Sequence, residues 1–579
     1  MTKSSASRPE IDVAILGAGI AGTVLAAVLA RNGAKVQIFD AGSHPRFAIG
    51  ESTTPHTSTL MRLVGERYDV TELKLIAAFH NVQAHVTRSG GIKRGFGFCY
   101  HREGEKLLLE EFNEFAIPRA THMENHWFRQ DLDEWVLTVA LKYGARIKQN
   151  TPITDVDVAD DGVTVTSATG EKWRARFIVD ASGLRSPLAA KFDLREKPSR
   201  LRHHSWSVFT HMLDVTPYED LFPAGTFKTY NQPSSTTLHH VFKGGWLWVI
   251  PFNNHIRATN PLVSVGLQLD PRVHPKPEGI LPEQIFHEFI GRYPDIARQF
   301  TNARAAREWV STGRLQYSPK RTVGYRWCLT SHAAGFIDPL FSRGMSNTFE
   351  IVNSLGWRIL DALRDDDFSV ERFEPVQTVE QGQLNFNDNL VANAYTSFCD
   401  YDLWDAWFRV WALGQFLSTA EIGRAYMKVV RKRDATAALA ALESIAPDGD
   451  LPPYPPLRQM YAEVSQAVRD VAEGRRGPGD AAKNIMTLLS TADFIPPAGF
   501  DFANPRSRYF GLNVSEGRKN IKWARQDAPE EIGRILYEQV PFYAIHRFTP
   551  TEFDLAEEFR AMLAERKHIG KWLRVPNPR

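Results

Sequence analysis

The first forty residues change their apolar period in a way that predicts a strand, a helix and a second strand. The run "IDVAIL" at residues 11–16 has the length and composition of a buried strand. The segment "TVLAAVLARNG" at residues 23–33 predicts a helix ended by its glycine, and "AKVQIFD" at residues 34–40 predicts the next strand. The stretch is apolar enough to imitate a signal or membrane segment. Glycines interrupt it and no basic region or cleavage pattern frames it, so folded structure is expected.

A second strand pattern lies in "GGWLWVIPF", at residues 244–252. Trp246, Trp248 and Ile250 alternate along it, just before Pro251. A period of two places these large side chains on one face of a strand. On residue pattern alone, the segment predicts ordinary packing against a core.

A third pattern combines glycines with aromatic residues in "SGGIKRGFGFCYHRE". Phe96, Phe98 and Tyr100 alternate after Lys93, which predicts a single strand that includes the lysine. Taken alone, Lys93 would be an exposed strand lysine. The neighbouring Arg94 is then an equal candidate for any catalytic role.

Beyond about residue 370 the pattern turns helical. The spacing i, i+3, i+4, i+7 puts four aromatic residues on one helical face and predicts core packing for Trp404, Trp407, Phe408 and Trp411. Residues 447–457 and the segment "EGRRGPGD" are rich in proline or glycine and predict breaks between helices. The end of the chain predicts a capped amphipathic helix that begins at Thr549 or Thr551.

Composition narrows the class of protein. The 579 residues are 43% hydrophobic and 23% charged, as in an ordinary globular protein, and the net charge of +2 points to no nucleic-acid partner. The three cysteines, Cys99, Cys328 and Cys399, lie far apart without metal-ligand spacing, so neither a disulfide framework nor a metal site is expected. A cytoplasmic protein with no membrane partner is predicted, and the sequence leaves a homodimer open.

The glycines of the first turn form G-x-G-x-x-G with Gly17, Gly19 and Gly22. The first glycine permits the tight turn, the second lets backbone approach a pyrophosphate, and the third lets helix pack on strand. The amides that begin the helix would hold the anion. Asp40, 18 residues beyond Gly22, ends the second strand and is placed to accept from a ribose hydroxyl.

Later segments indicate which dinucleotide is bound. A helix led by Arg129, the segment "VDASG" and the loop with Asp338 before a long helix follow in an order that resembles the flavin-monooxygenase branch of FAD-binding proteins. Many relatives carry Gly-Asp where this chain has Ser331 and His332, so no ribose-binding acid is placed there. The resemblance implies one FAD, and these cofactor-binding residues: Gly17, Gly19, Ala21, Gly22, Asp40, Glu51, Arg129, Asp338 and Met345.

The tryptophan strand carries a more specific resemblance. Trp246-x-Trp248-x-Ile250-Pro251 resembles the W-x-W-x-I-P motif of flavin-dependent halogenases, where it is a barrier between flavin and organic substrate. In that family a lysine at the position of Lys93 meets hypohalous acid, either by hydrogen bonding to it or by forming a haloamine. Burial can lower the pKa of a lysine towards a usable amine, and the sequence leaves both alternatives open.

The loop "PLFSRGMSN" would supply the halide site. Amides of Arg343, Gly344 and Met345, ahead of a helix expected to begin near Asn347, would form a cradle for chloride or bromide. The resemblance also gives Ser342 a catalytic role as a hydrogen-bond partner of Lys93.

Phe341 distinguishes this chain from the tryptophan halogenases, which carry a glutamate at its position. The closer resemblance is to phenol-type flavin-dependent halogenases, as in pyoluteorin biosynthesis. It implies a free small phenol of the resorcinol or phloroglucinol kind, and reduced FAD supplied by a separate NAD(P)H-dependent reductase. With oxygen and halide these would give hypohalous acid. The alternatives are a single-component FAD-dependent aromatic hydroxylase and a flavin-binding subunit without catalysis.

The implied fold is α/β, a Rossmann-like FAD-binding fold of the flavin-monooxygenase type with a β-sheet substrate region. Residues 1–370 would form the FAD-binding core, with an interleaved substrate-binding sheet from about residues 83–128 and 200–320. Residues 371–579 would form a helical region that covers the substrate chamber.

Overall fold

The computed structural model describes residues 10–117, 123–431, 434–449 and 451–538. The helix predicted to begin at Thr549 or Thr551 lies outside these residues. The strands, in chain order, are β1 (Ile11–Leu16), β2 (Val36–Phe39), β3 (Gly91–Lys93), β4 (Gly95–His101), β5 (Phe112–Ala116), β6 (Glu124–His126), β7 (Arg146–Lys148), β8 (Ile153–Ala159), β9 (Gly162–Ser167), β10 (Lys172–Asp180), β11 (Trp206–Leu213), β12 (Thr237–Phe242), β13 (Gly245–Pro251), β14 (Val263–Leu269), β15 (Arg304–Ala305), β16 (Val310–Ser311), β17 (Val323–Gly324), β18 (Trp327–Leu329) and β19 (Tyr509–Phe510). The α-helices are α1 (Ile20–Arg31), α2 (Pro55–Arg67), α3 (Glu72–Leu75), α4 (Phe79–His85), α5 (Arg129–Lys142), α6 (Pro187–Lys191), α7 (Pro282–Ile290), α8 (Pro294–Gln299), α9 (Gly344–Asp365), α10 (Val370–Ser397), α11 (Tyr401–Val430), α12 (Ala435–Ile445), α13 (Pro455–Ala472), α14 (Pro478–Thr491), α15 (Val514–Gln526) and α16 (Glu530–Glu538).

The first sheet is the predicted dinucleotide-binding unit. Its strands follow the order β17-β18-β10-β1-β2-β7, with β1 parallel to both β10 and β2. Val13 and Ile15 are fully buried on one face and Ala14 on the other, as a parallel sheet covered on both sides requires. The predicted strand, helix and strand are confirmed, although α1 begins at Ile20 rather than at Thr23.

The second sheet has nine strands in the main order β15-β11-β14-β13-β12-β4-β5-β19, with β16 also paired to β11. The strand predicted from the two tryptophans is confirmed as β13, which lies between β12 and β14 near the middle of the sheet. Every residue of β12, β13 and β14 is buried, because the sheet is covered on both faces.

The strand predicted to run through Lys93 is interrupted, so that part of the prediction is wrong. Lys93 ends the short strand β3, which pairs with β6, whereas Phe96 and Phe98 belong to β4. At Arg94 the chain changes partners, since its amide donates to the carbonyl of Ser235. The lysine therefore occupies a separate two-stranded ribbon beside the nine-stranded sheet.

The helices after residue 370 pack against one face of the nine-stranded sheet. The four aromatic residues predicted for one helical face are buried on α11, and the ring of Trp411 contacts those of Phe96 and Phe341. This region also contributes β19, which pairs in parallel with β5 at the edge of the sheet and was not expected from the sequence. Within the described ranges, no helix has both the length and the apolar character needed to cross a membrane.

Candidate active site

A cavity of about 810 Å³ lies between the two sheets. Its wall combines the glycine turn after β1, the strap formed by residues 41–52, part of β13 and one side of α10. Gly22, Lys93 and Pro251 do not line it. The other predicted site residues do: Gly17, Gly19, Ala21, Asp40, Glu51, Arg129, Trp246, Trp248, Ile250, Asp338, Ser342, Arg343, Gly344 and Met345.

The glycine turn is built for close approach of backbone to a ligand. Gly17 has a φ of 96°, and a Cβ there would lie 2.7 Å from the carbonyl oxygen of Ala181. A Cβ on Gly22 would lie 2.0 Å from the carbonyl oxygen of Gly17. A Cβ on Gly19, by contrast, would have its nearest neighbour 4.0 Å away, a side-chain nitrogen of Arg46. The second glycine therefore leaves open space at the start of α1. This geometry fits the pyrophosphate of a dinucleotide such as FAD.

Asp40 closes this turn from the end of β2. One of its carboxylate oxygens accepts from the amide of Ala18, and the other accepts from the amide of Gly42 and from the guanidinium of Arg46. Asp40 is only 3% exposed, whereas the Arg46 side chain is 34% exposed. Arg46 therefore adds a cation to the cavity wall that the sequence did not identify.

Arg129 and Glu51 hold the strap. The guanidinium of Arg129 donates to the carbonyl oxygens of Ile49 and Gly50 and forms a bidentate pair with Asp133. Glu51 lies 2.7 Å from Nε2 of His211 on β11, and both side chains are about 1% exposed. The strap is thus fastened to α5 by Arg129 and to the nine-stranded sheet by Glu51.

Two tryptophans form one wall of the cavity, referred to below as the tryptophan wall. The ring centroids of Trp246 and Trp248 are 5.6 Å apart. The indole nitrogen of Trp248 donates to Ser264 on β14, and its ring lies over Gly266 of the same strand. A Cβ on Gly266 would lie 2.0 Å from Cζ2 of Trp248, so the glycine makes the space for this ring.

Lys93 is fully buried and does not line the cavity, which it adjoins through Ser52. Its Nζ donates to Oγ of Ser52 over 2.7 Å and stands 3.5 Å from the ring centroid of Phe96. Burial lowers the pKa of the Lys93 amine well below the usual lysine value, and the nearby Glu124 carboxylate opposes this in part. Glu124 itself accepts hydrogen bonds from Thr53 and Ser58.

Ser52 was missed by sequence reasoning, although it stands next to Glu51 in the strap. It lies between the two predicted catalytic residues, because Ser342 donates to Ser52 Oγ over 3.2 Å. The expected hydrogen bond between Ser342 and Lys93 is therefore replaced by a shared contact with Ser52. Phe341, where tryptophan halogenases carry a glutamate, stacks on Trp411 with centroids 4.7 Å apart.

Asp338 anchors the loop that follows it. One carboxylate oxygen accepts from His203, Ser205, Gln268 and Tyr395, over 2.8 to 3.3 Å. The other accepts from the amide of Leu340 over 3.0 Å. Gln268 belongs to the nine-stranded sheet, His203 and Ser205 to the segment before β11, and Tyr395 to α10. The carboxylate therefore ties the loop to the sheet, to that segment and to α10. Its expected contact with the cofactor stays a prediction.

The loop ends at the start of α9, which begins at Gly344 and not near Asn347 as expected. Ser342 has a φ of 55°, and Arg343 is the residue before the first helical turn. The first amides of an α-helix have no acceptor within the helix. At this position they include those of Gly344 and Met345, both of which line the cavity.

Two further ionisable residues, which the sequence did not indicate as site residues, line the cavity. Glu380 on α10 is 4% exposed, and burial raises the pKa of its carboxyl to about 8. The amide of Ser331 lies 3.4 Å from its Oε2. The surrounding protein, through desolvation and then the charge of Arg129, lowers the pKa of His332 to about 4 although the residue is exposed, so the ring is neutral near pH 7. Only the periodicity of α10, with Gln383, Asn387 and Val391 on the same side, could have indicated Glu380.

Away from the cavity, one cluster runs against the expectation that the cysteines have no metal-ligand surroundings. Cys99, His101 and His240 bring their ligand atoms within 4.8 Å of one another, because β4 and β12 pair in parallel. The two imidazoles already contact each other at 2.9 Å, and His240 contacts Gln299 at 2.9 Å. The group is a buried hydrogen-bonded network, and the spacing of these residues in the sequence did not predict that they lie together.

Comparison with known proteins agrees with this architecture. A family model described as FAD dependent oxidoreductase matches residues 12–310. The chain is 42% identical over 533 residues to the tetracycline 7-halogenase of Kitasatospora aureofaciens, covering 91% of this chain and 94% of that protein. It is 41% identical to the monodechloroaminopyrrolnitrin halogenase PrnC of Pseudomonas fluorescens, covering 94% of this chain and 97% of PrnC.

A solved structure supports the same assignment. The crystal structure of the halogenase PltM in complex with phloroglucinol and FAD matches with a TM-score of 0.82 at 35% identity, covering 87% of this chain and 100% of that one. The fold is therefore shared over most of the chain. The protein belongs to the FAD-dependent oxidoreductase family and, within it, to the flavin-dependent halogenases.

Proposed function

We propose that this protein is the halogenating component of a two-component system that acts on a free small phenol of the resorcinol or phloroglucinol kind. A separate NAD(P)H-dependent reductase supplies reduced FAD, and oxygen with chloride or bromide gives hypohalous acid at the flavin. Lys93 then directs the halogen to the ring. The observation that carries the proposal is a fully buried lysine beside the cavity, held by one neutral hydroxyl.

The electron supply is inferred from the dinucleotide fingerprint. The sequence contains one G-x-G-x-x-G turn between strand and helix, and the cavity beside it accounts for one dinucleotide. A nicotinamide cofactor would need a site of its own. Reduced FAD arriving by diffusion is the simplest arrangement that meets this condition.

The halide is assigned to the start of α9. The free amides of the first turn and the positive end of the helix dipole favour an anion there. Gly344 and Met345 line the cavity, and Arg343 is buried just before them. Bound halide would then lie in the flavin cavity, with the tryptophan wall forming another part of its lining.

The organic substrate is inferred from chemistry and from the relatives. The halogenation itself replaces an aromatic hydrogen by halogen and releases water from hypohalous acid, so an electron-rich ring is required. A phenol supplies one without a strong base, which agrees with Phe341 in place of a glutamate. PltM has been crystallised with phloroglucinol, whereas the names of two relatives give tetracycline and monodechloroaminopyrrolnitrin as substrates.

Lys93 acts on the halogen from a buried position that excludes water. Its lowered pKa favours the neutral amine, which can take halogen from hypohalous acid or donate a hydrogen bond to it. The wall of Trp246 and Trp248 keeps the arene away from the flavin. Halide is thereby left as the nucleophile that meets the oxidant first.

Mass spectrometry of the products tests this function. Purified protein would receive FAD, a generic flavin reductase, NADH, oxygen and bromide or chloride. The substrate panel is phloroglucinol, resorcinol, tetracycline and monodechloroaminopyrrolnitrin. We expect halogen isotope patterns on the two small phenols, and a loss of about 100-fold or more in product for Lys93→Ala.

Other outcomes separate the alternatives. Oxygen insertion without halogen, together with NADH oxidation when no reductase is present, would establish a single-component hydroxylase. Halogenation confined to tetracycline or monodechloroaminopyrrolnitrin would move the substrate class. Undiminished product from Lys93→Ala would remove the role given to the lysine.

A further inference from the structure

Ser52 occupies the centre of a hydrogen-bonded cluster that joins the strap to both predicted catalytic residues. Its Oγ lies 2.7 Å from Nζ of Lys93, 3.2 Å from Oγ of Ser342 and 2.7 Å from Oγ1 of Thr237. Ser52 is 6% exposed and forms a backbone bridge with His126, the last residue of β6. A serine hydroxyl has one hydrogen and two lone pairs, so three partners use its full capacity.

Hydrogen bonds continue from Ser52 through Thr237 and His126 to the carbonyl of Pro251, and this last group fixes the direction of all of them. Nδ1 of His126 lies 3.1 Å from the carbonyl oxygen of Pro251, which can only accept. That nitrogen therefore carries the hydrogen. Burial lowers the pKa of His126 to about 3, so the ring is neutral and its Nε2 accepts. Oγ1 of Thr237, 3.0 Å from Nε2, must donate to it.

The same reasoning determines the state of Ser52. Because Thr237 spends its hydrogen on His126, it can only accept from Ser52. Ser52 then has no hydrogen left for its other two partners. Both Lys93 and Ser342 must donate to it, and Ser342 itself lines the cavity.

We propose that Ser52 is a positioning residue for halogen transfer. Its hydrogen is committed to Thr237 by the one-way series of hydrogen bonds through His126 to the carbonyl of Pro251, so Ser52 can only accept from Lys93. It fixes one N–H of Lys93 and so sets the direction in which the amine meets the halogen. The series ends on the last residue of β13, so the strand that carries the tryptophan wall also orients the lysine. This inference rests on the proposed function of Lys93.

This series of hydrogen bonds holds the lysine in place and does not carry its proton away. A peptide carbonyl is not a base, and His126, with a pKa of about 3, is too weak a base to take the proton. The ionisable groups that face Lys93 are Glu124 across the β3 and β6 pair, His126 and His239. Burial lowers the pKa of His239 to about 3, so it too is neutral. Phe96 covers another side of the amine at 3.5 Å.

The test separates formation of hypohalous acid from its use. Each variant is assayed with flavin reductase, NADH, FAD and bromide, once with phloroglucinol and once with monochlorodimedone as a scavenger of free hypobromous acid. For Ser52→Ala we expect brominated phenol to fall about 10- to 100-fold, because a misdirected amine loses near-attack geometry. Hypobromous acid formation should stay within about twofold of wild type.

Matched variants complete the design. Ser52→Thr keeps the hydroxyl and should recover most of the lost product, and Thr237→Val should lose less than Ser52→Ala because the acceptor atom remains. Ser418→Ala is the control, since this buried hydroxyl on α11 bonds to carbonyls of its own helix. Equal ratios of product to hypobromous acid in Ser52→Ala and wild type would overturn the inference. So would a parallel fall of both, or no recovery with Ser52→Thr.

A second measurement needs no turnover. Urea unfolding midpoints of the FAD-loaded full chain would be compared for Ser52→Ala, Lys93→Met and the double variant. The hydrogen bond predicts that the double variant unfolds at higher urea than the sum of the single shifts implies. Strict additivity would contradict the contact. Wild-type protein that halogenates nothing would reject the proposed function itself, whereas an active wild type with an unaltered Ser52→Ala rejects only this inference.

Discussion

At the scale of single residues, Glu380 shows how burial changes the charge of the cavity. Its carboxyl has a pKa of about 8, raised from an ordinary 4.5 chiefly by burial and further by the neighbouring Glu350. Near pH 7 the group is therefore neutral. Between pH 4.5 and 8 the folded protein holds a proton there that the unfolded chain releases, so this residue reduces stability as the pH rises.

Glu380→Gln should remove that dependence. Relative to wild type, the variant is expected to gain stability from about pH 4.5 upwards and to level off above about pH 8, by about 1.4 kcal/mol per unit of pKa displacement. Urea unfolding at pH 5, 7 and 8.5 measures it. Glu374→Gln, on the exposed side of the same helix, is the control. A difference between Glu380→Gln and wild type that does not change with pH would contradict the assignment.

The residues of the site were predictable from the sequence where they belong to a local motif. The glycine turn, the two tryptophans and the lysine all stand in recognisable local patterns, and the cavity contains or adjoins each of them. Ser52, Glu124 and Glu380 were not predictable in the same way. They reach the site from a loop, a short strand and a helix whose separation along the chain hides their common location.

At the scale of elements, β14 shapes the tryptophan wall through an absent side chain. Gly266 faces Trp248 across the β13 and β14 pair, and the indole occupies the space a Cβ would take. The ring is further fixed by its hydrogen bond to Ser264 on the same strand. The position of one wall residue is therefore decided by the neighbouring strand.

Gly266→Ala should displace the indole of Trp248. Overpacking of this kind costs about 1–3 kcal/mol, so we expect a lower thermal unfolding midpoint together with weaker halogenation. Gly313→Ala is the matched control, because a Cβ there meets no heavy atom within 4 Å. Equal unfolding midpoints for the two variants would show that the tryptophan wall rearranges without a loss of stability.

Element prediction succeeded where the apolar period was strong, and failed where pairing between distant segments decides. β1, α1 and β13 follow from apolar patterns alone. The break between β3 and β4 at Arg94 depends on an amide that binds Ser235, a partner more than a hundred residues away in the chain. The start of α9 at Gly344 likewise follows from the loop geometry around Ser342.

At the scale of the whole molecule, a buried ion pair joins the C-terminal region to the nine-stranded sheet. Arg409 on α11 is fully buried and donates twice to Asp405, which in turn accepts from Asn113 on β5. The guanidinium also donates to carbonyls of Phe502 and Ser507, just before β19. One side chain thus holds together the helix, the sheet and the segment that completes its edge.

Arg409→Leu should destabilise the protein by about 3–5 kcal/mol, because Asp405 would be left as a buried charge without its main partner. Thermal or urea unfolding of the full chain would reveal the loss. Arg518→Leu, at an exposed position of α15, should change stability by no more than about 0.5 kcal/mol. Similar midpoints for both variants would mean that the C-terminal region is held mainly by its apolar contacts.

The pairing of β19 with β5 has a consequence during synthesis on the ribosome. β5 is made early, whereas β19 emerges roughly 390 residues later, which takes roughly 20 to 80 s at ordinary translation rates. Throughout that interval the nascent sheet presents an unpaired edge, the kind of surface at which chains associate wrongly. Slower synthesis lengthens the exposure, and a chaperone that shields the edge of β5 until residue 510 has left the exit tunnel would raise the yield of folded enzyme.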